Sequence, residues 1–313
     1  MKTPHDIGNS HPPPVALLIP GVGIAYSKAI ELLRGDPIFR AYCARAAVDD
    51  FSGGDLNRLK DYAYFLHDNL DNQKLSYVVN CSMCDLYQKS GIIPQFVVGY
   101  SMGIYPALYA AGYYSFETGL SIVERAFHLI SELCSSRSDR YGMGLILGFT
   151  ENDIRELLFR EVGGGVEIAV YNGKRNMVIS GVKEKVDLCL ERALELGALG
   201  IRPILTNHPY HTAFLEDVSH EFSQFLNTLN YADPVSTVLS LIDGKTISRG
   251  EVADTIVKAI HKPLHLELVV DGLVRDHCVS ICYETGPPES MKKLVRYIHK
   301  GLKVHPFEEA GIQ

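Results

Sequence analysis

The chain has 313 residues, 46% of them hydrophobic and 21% charged, with a net charge of −7. That is room for one large or two smaller domains around a sizeable core. The acidic balance gives no support to nucleic-acid binding, and no apolar run reaches the roughly 18 residues that cross a bilayer. Seven cysteines, an odd number, in a long chain with no signal-peptide pattern argue against a disulfide framework and for a reducing, cytoplasmic setting.

Residues 1–14, MKTPHDIGNSHPPP, are polar and proline-rich and read as a disordered lead-in. Val15 to Ile19 is a short apolar run, a buried strand that ends in the glycine turn Pro20-Gly21-Val22-Gly23. Helical spacing follows through Ile24 to Leu33, Ile38 to Val48 and Leu75 to Gln88. Cys81 and Cys84 on the last of these form a lone CxxC; with no second pair, they imply neither zinc nor redox chemistry. A strand at Phe96, Val97 and Val98 runs into Gly99-Tyr100-Ser101-Met102-Gly103 and then a small-residue helix with Ala107, Ala110 and Ala111. Phe116 to Cys134 is a long helix capped by Ser115.

The pattern then changes. Strand Met143 to Gly148 is followed by a helix over Glu151 to Val162 with Thr150 as N-cap. Strands Val166 to Tyr171 and Asn176 to Ile179 flank the turn Asn172-Gly173-Lys174-Arg175. Helix Lys183 to Leu196 and strand Ile201 to Leu205 complete a β-α-β-β-α-β order, the split βαβ or ferredoxin-like unit. Helix Leu215 to Leu229, strand Val238 to Leu241, helices Val252 to Ile260 and Leu268 to Arg275, strand Val279 to Glu284 and helix Pro288 to His299 follow. The expected fold is α/β: a hydrolase-like large domain with a mostly parallel sheet over residues 15–141 and 206–313, and an inserted ferredoxin-like small domain over 142–205.

Strand, sharp turn, helix, with serine at the apex, is the context that gives G-x-S-x-G chemical meaning. The turn strains its central residue, glycines on either side avoid clashes, and the Ser101 hydroxyl stands above the sheet. The following N–H, at Met102, opens a helix N-terminus that suits an oxyanion. Such a serine needs a base. Of the twelve histidines, His211 lies on the loop Thr206-Asn207-His208-Pro209-Tyr210-His211-Thr212, ahead of a helix and where the chain leaves the small domain, so it can face a cleft.

From Val15 to His305 the sequence resembles the malonyl-CoA:acyl-carrier-protein transacylase family, which includes the acyltransferase domains of fatty acid and polyketide synthesis. The family's F-P-G-Q-G is similar to Ile19-Pro20-Gly21-Val22-Gly23, its G-H-S-x-G-E to Gly99-Tyr100-Ser101-Met102-Gly103-Ile104, and its V-x-x-H or H-A-F-H to His208-Pro209-Tyr210-His211. Its small-domain turn and V-(I/V)-A/S-G element are similar to Tyr171-Asn172-Gly173 and Val178-Ile179-Ser180-Gly181, and its Y-E-V-G-P to Tyr283-Glu284-Thr285-Gly286-Pro287. The resemblance implies a Ser101–His211 pair that takes an acyl group from acyl-CoA and passes it to the phosphopantetheine thiol of an acyl carrier protein. It implies an oxyanion hole from the N–H groups of Val22 and Met102, and an imidazole oriented by a backbone carbonyl near Ala259. Gln73, Tyr100, Ile104, Asn172, His208 and Tyr210 are implied on the substrate side. No metal or redox cofactor is implied; CoA and phosphopantetheine thioesters are the substrates.

The departures from the family concern the acyl group. Malonyl-specific members hold the substrate carboxylate with an arginine in a V-E-x-R context. Counting from the elbow, that place falls on Ala126, and Arg125 lies one residue early, about 100° around a helix of 3.6 residues per turn. A charge-assisted pair is worth roughly 1.5–3 kcal/mol, and a buried carboxylate without its partner costs about 3–5 kcal/mol, so a non-malonyl, neutral acyl group is expected. Arg125 supplying the charge from a new direction is the rival. Tyr100 and Ile104 replace polar residues of the family and make the wall less polar, and Tyr210 restricts branching next to the thioester.

Three functions are open from sequence. One is an acyltransferase acting on carrier protein. Another is a hydrolase that clears acyl groups from carriers, since relatives lacking the arginine include such enzymes. The third is a non-catalytic docking subunit. An acidic carrier would need a local basic patch, for which Lys174 and Arg175, or Lys292, Lys293, Arg296 and Lys300, are the candidates.

Overall fold

A computed structural model of the chain describes residues 13–52 and 61–311. The lead-in expected over 1–14 lies, as far as residue 12, outside them. In chain order the strands are β1 (Val15–Ile19), β2 (Phe96–Gly99), β3 (Tyr141–Leu147), β4 (Val166–Gly173), β5 (Asn176–Val182), β6 (Gly200–Ile204), β7 (Thr237–Val238), β8 (Leu264–His265), β9 (Ile281–Glu284) and β10 (Lys303–His305).

One sheet has the order β10-β9-β1-β2-β7, and all four of its pairings are parallel. Because side chains alternate along a strand, β1 divides itself between two cores. Leu17 and Ile19 join Val97 in one buried cluster, beneath the helices Leu70–Lys89 and Phe116–Ser136. Ala16 and Leu18 join Val98 in the other, with helices Leu266–Arg275 and Ser290–Ile298. Both faces are therefore covered, as a parallel sheet requires. All seven cysteines are free thiols; Cys81 and Cys84 are buried, and burial pushes both thiols well up, away from the reactive thiolate. Among the described residues no helix is long and apolar enough to cross a membrane.

The second sheet has the order β6-β3-β5-β4-β8. Its first four strands are antiparallel neighbours, in the arrangement expected of a split βαβ unit. Ile168, Met177 and Ile179 face its two helices, residues 151–162 and Lys183–Glu195. Met143, Ala169, Val170 and Val178 face the other way and join the large domain's second core. Thr150 and Asp153 form a capping box at the start of the first helix, whose middle, Ile154–Phe159, is a π-helix.

Some elements differ from the sequence reading. β8 and β10 are short strands, below what hydrophobic periodicity resolves. β8 comes from the large-domain chain yet pairs in parallel with the outer edge of β4. The helix expected at Leu215 to Leu229 begins as a 3₁₀ segment, Ala213–Val218, and continues as Ser219–Leu226. The strand expected at Val238 to Leu241 is only Thr237–Val238, followed by an isolated bridge from Leu239 to Thr246.

Within the first sheet, β1 and β2 meet the elbow through close backbone contact. A Cβ on Gly103 would stand 2.4 Å from the Ile19 carbonyl oxygen, and one on Gly99 would stand 2.3 Å from the Gly103 carbonyl oxygen. Neither neighbour is a flexible side-chain end, so neither can yield. Gly103→Ala is expected to cost at least about 3 kcal/mol, the upper range for overpacking. Gly35→Ala, where a Cβ meets nothing within 4 Å, is expected to stay within about 0.5 kcal/mol of the parent. Urea denaturation midpoints of the two variants check this.

Candidate active site

β2 ends at Gly99, Tyr100 stays extended, and Ser101 turns into the left-handed region at φ 55°. For a residue with a Cβ this costs of order 1–2 kcal/mol. The cost is met by surroundings that fix the turn: the Tyr100 N–H donates to the Ile19 carbonyl at 2.8 Å, and the Gly103 N–H to the Tyr100 carbonyl at 2.9 Å. The strand thus stops against β1, and the chain re-enters helically through Ser101–Gly103 and Ile104–Ala110. Gly21 at the end of β1 lies against this turn; a Cβ on it would stand 2.9 Å from the Tyr100 oxygen and 3.5 Å from the Met102 nitrogen. Val22 is thereby brought beside Ser101 and Met102, and the three line one cavity. The Tyr26 hydroxyl donates to the Gly21 carbonyl at 2.7 Å and bonds Ser76 at 2.6 Å, tying the Val22 loop to the helix Leu70–Lys89. Burial pushes the Tyr26 phenol up to about 12, so it stays a donor.

His211 also sits in the left-handed region, at φ 62°. Its Nε2 lies 2.8 Å from Ser101 Oγ. Its Nδ1 donates to the Ala259 carbonyl at 2.6 Å, and its backbone N–H donates to the Ile260 carbonyl at 2.7 Å. Those two carbonyls belong to the last turn of helix Val252–His261, where backbone oxygens have no partner within the helix. The helix stops there because Pro263 follows Lys262. A carbonyl only accepts, so the proton resides on Nδ1, and Nε2 presents a lone pair to the serine. Burial pushes the imidazole down to about 4, partly offset by the Ala259 bond, so it is neutral at pH 7. When Nε2 takes a proton, the negative end of the helix dipole lies beside the new charge.

Two cavities meet at this pair, and Val22, Ser101, Tyr210 and His211 line both. One runs along the helix Phe116–Ser136 past Ala126, Phe127 and Ile130, with Ile104, Tyr105 and Gln73 also lining it. The other runs between the domains past Tyr100, Met143, Val170, Val178 and Ile204 to Asp68 and Thr206. Among the described residues no lysine or arginine lines either one, and no cluster of three or more histidines, cysteines or carboxylates could hold a metal ion.

Of the residues read from sequence, Ser101, His211, Val22, Met102, Gln73, Tyr100, Ile104, Ala126, Tyr210 and Ala259 all line these cavities. Three placements need correction. The rival placement of Arg125 against the acyl group is the first: it points outward and pairs with Glu221, because one residue along a helix turns the side chain to another face. Asn172 is buried behind the wall; its Oδ1 accepts from the Tyr100 hydroxyl at 2.9 Å and its Nδ2 donates to Asn176 at 3.2 Å. His208 is also behind the wall, edge-on to Phe127, with Nδ1 2.8 Å from Asp68 and Nε2 3.2 Å from Ser131.

Asp68 went unread in the sequence. Its carboxylate, 4% exposed, accepts from Thr206 Oγ1 at 2.7 Å and Gln73 Nε2 at 2.8 Å as well as meeting His208. Burial pushes this carboxyl up, and the hydrogen bond and charge of His208 with the bonds from Thr206 and Gln73 outweigh it, leaving it below the usual range. A lone aspartate between the helices Tyr62–Leu66 and Leu70–Lys89 carries no local signal, since its partners come from residues 73 and 206–208. Ile130 was legible: it follows Ala126 by four residues, on the same helix face.

The family model described as the acyl transferase domain matches residues 29–263. The malonyl CoA-acyl carrier protein transacylase of Bacillus subtilis is 25% identical over 225 residues, 71% of this chain and 70% of that protein. The polyketide biosynthesis malonyl CoA-acyl carrier protein transacylase of the same organism is 26% identical over 238 residues, 75% of this chain and 80% of that protein. The crystal structure of an acyl-carrier-protein S-malonyltransferase from Burkholderia pseudomallei shares the fold at a TM-score of 0.81 and 24% identity, covering 94% of this chain and 96% of that one. A malonyl-transacylase solved in complex with a type II polyketide synthase acyl carrier protein shares it at 0.80 and 22% identity, over 94% and 95%. Since the matched span contains the elbow serine, the histidine and the helix end that holds it, this chain belongs to the acyl transferase domain family.

Proposed function

We propose that this chain moves a neutral acyl group from a CoA thioester, through an ester on Ser101, to the phosphopantetheine thiol of an acyl carrier protein in fatty acid or polyketide biosynthesis. The observation that carries the reading is Ser101 Oγ at 2.8 Å from a neutral, oriented His211 Nε2, at the mouth of a cavity that Ala126 lines and that no lysine or arginine among the described residues lines. His211 takes the Ser101 proton as Oγ attacks the thioester carbonyl. The tetrahedral oxygen turns toward the N–H groups of Val22 and Met102. His211 then returns the proton to the departing thiolate, leaving an acyl-serine. The carrier thiol enters by the same route, gives its proton to Nε2, and the steps run in reverse. The relatives named above act on malonyl groups by their names; here Ala126 stands in the cavity and Arg125 is engaged outside it by Glu221, which supports a neutral acyl group.

Ala126 also favours a second reading, hydrolysis of acyl carriers, because the dyad serves water as well as a thiol. Mixing acyl-CoA, enzyme and carrier protein separates the two: acyl-carrier accumulates under transfer, and free acid under hydrolysis. A docking subunit would show neither product.

Ser101→Ala is expected to abolish the acyl-enzyme and reduce turnover by about a million-fold, the scale for losing a nucleophile that acts with its base; mass spectrometry of the loaded protein and turnover assays check it. A proton on Nε2 removes the base, so Ser101 loading is expected to hold down to about pH 5 and to fall as pH drops through about 4, rather than through the ordinary histidine value of about 6.5. Loading rates across pH, with circular dichroism as a control for folding, check this. Ala126→Arg is expected to raise the malonyl-to-acetyl loading ratio at least tenfold, since a buried charge-assisted pair is worth about 1.5–3 kcal/mol and ~1.4 kcal/mol is tenfold.

A further inference from the structure

Gln73 lines the acyl cavity from the first turns of helix Leu70–Lys89. Its Nε2 donates to Asp68 Oδ1 at 2.8 Å and meets the Tyr210 hydroxyl at 2.9 Å. An ionised carboxylate accepts hydrogen bonds and cannot donate one, so the amide has one allowed orientation: NH₂ toward Asp68. The opposite orientation would set two acceptors against each other. Asp68 is in turn pinned, with Thr206 at 2.7 Å and His208 at 2.8 Å on its other oxygen. Both Nε2 protons are spent. Gln73 Oε1 has no partner among the described residues and is not among the side-chain atoms sealed without one. It is the polar atom that Gln73 offers to a cavity whose wall also includes Ile104, Tyr105, Ala126, Phe127, Ile130 and Tyr210.

We infer that Gln73 Oε1 is a specificity determinant that selects an acyl group carrying a hydroxyl on its chain, with Asp68 as the residue that positions it. The inference rests on the neutral-acyl reading above and narrows it. A hydroxyl donates to Oε1 in place of the solvent that would otherwise pair with it. A bare methylene displaces that solvent and leaves a buried acceptor unpaired, which is penalised more than a hydrogen bond gains. A carboxylate, which only accepts, is turned away by the same atom.

The test compares the rates at which butyryl-CoA, its 2-, 3- and 4-hydroxy analogues and malonyl-CoA load Ser101 of the full chain. At least one hydroxybutyryl group is expected to load about tenfold faster than butyryl, the scale of one hydrogen bond at a buried acceptor. In Gln73→Leu that ratio falls to near one. In Asp68→Asn it falls as well, because the new amide can donate to Gln73 and release its orientation, while the acid limb of the pH profile set by His211 stays in place. Gln73→Met serves if the leucine variant does not fold. A ratio near one in the parent protein, or a preference that survives in both Gln73 variants, overturns the inference and leaves the neutral-acyl reading standing. Malonyl loading faster than every neutral group overturns that reading itself.

Discussion

The site depends on how closely three stretches of backbone approach one another. Ile19, Gly99 and Gly103 touch with no side chain between them. That contact lets β2 end against β1 while the chain swings through a left-handed serine into a helix. It decides where Ser101 Oγ stands, and, through Gly21, where the Val22 N–H stands. The elbow and the oxyanion loop are thus two parts of one packed backbone unit. The rest of the active site is arranged around it.

The histidine is held by a different device. In place of an acidic side chain, two carbonyls at the end of helix Val252–His261 grip the imidazole and its own backbone. The substitution has a chemical logic. A neutral acceptor sets the tautomer without adding a buried negative charge, so burial outweighs the Ala259 bond and holds the imidazole neutral. The helix end still offers partial negative charge when the imidazolium forms. The same helix runs directly into β8, which pairs with β4 of the small domain. The small domain is therefore tied to the residue that orients the base, besides forming one wall of the inter-domain cavity.

Polar groups behind the wall matter as much as those on it. Asp68, His208, Thr206 and Gln73 satisfy one another in a buried network, and Tyr210 joins it from the cavity side. Low dielectric makes such a network costly to leave half-made and firm once complete. Its consequence is that Tyr210 and Gln73 present fixed atoms to the cavity rather than adjustable ones. Asn172 does the same for Tyr100 on the other side of the dyad.

The sequence by itself determined the alternation of strand and helix, the split βαβ insert, the elbow, and the place of Ser101 and His211. Each is a local pattern: strict alternation, helical spacing, or glycines where a backbone contact forbids a side chain. It also placed Ala126 in the cavity and turned Arg125 out of it, since 100° per residue is a property of any helix. Only the tertiary structure decided that β8 crosses to the small sheet, that Asn172 and His208 lie behind the wall, and that Asp68 governs the amide of Gln73. Those depend on contacts between residues up to 140 positions apart, for which no local spacing carries a signal. A two-residue strand or a lone aspartate acquires its meaning only from the partner that folding brings to it.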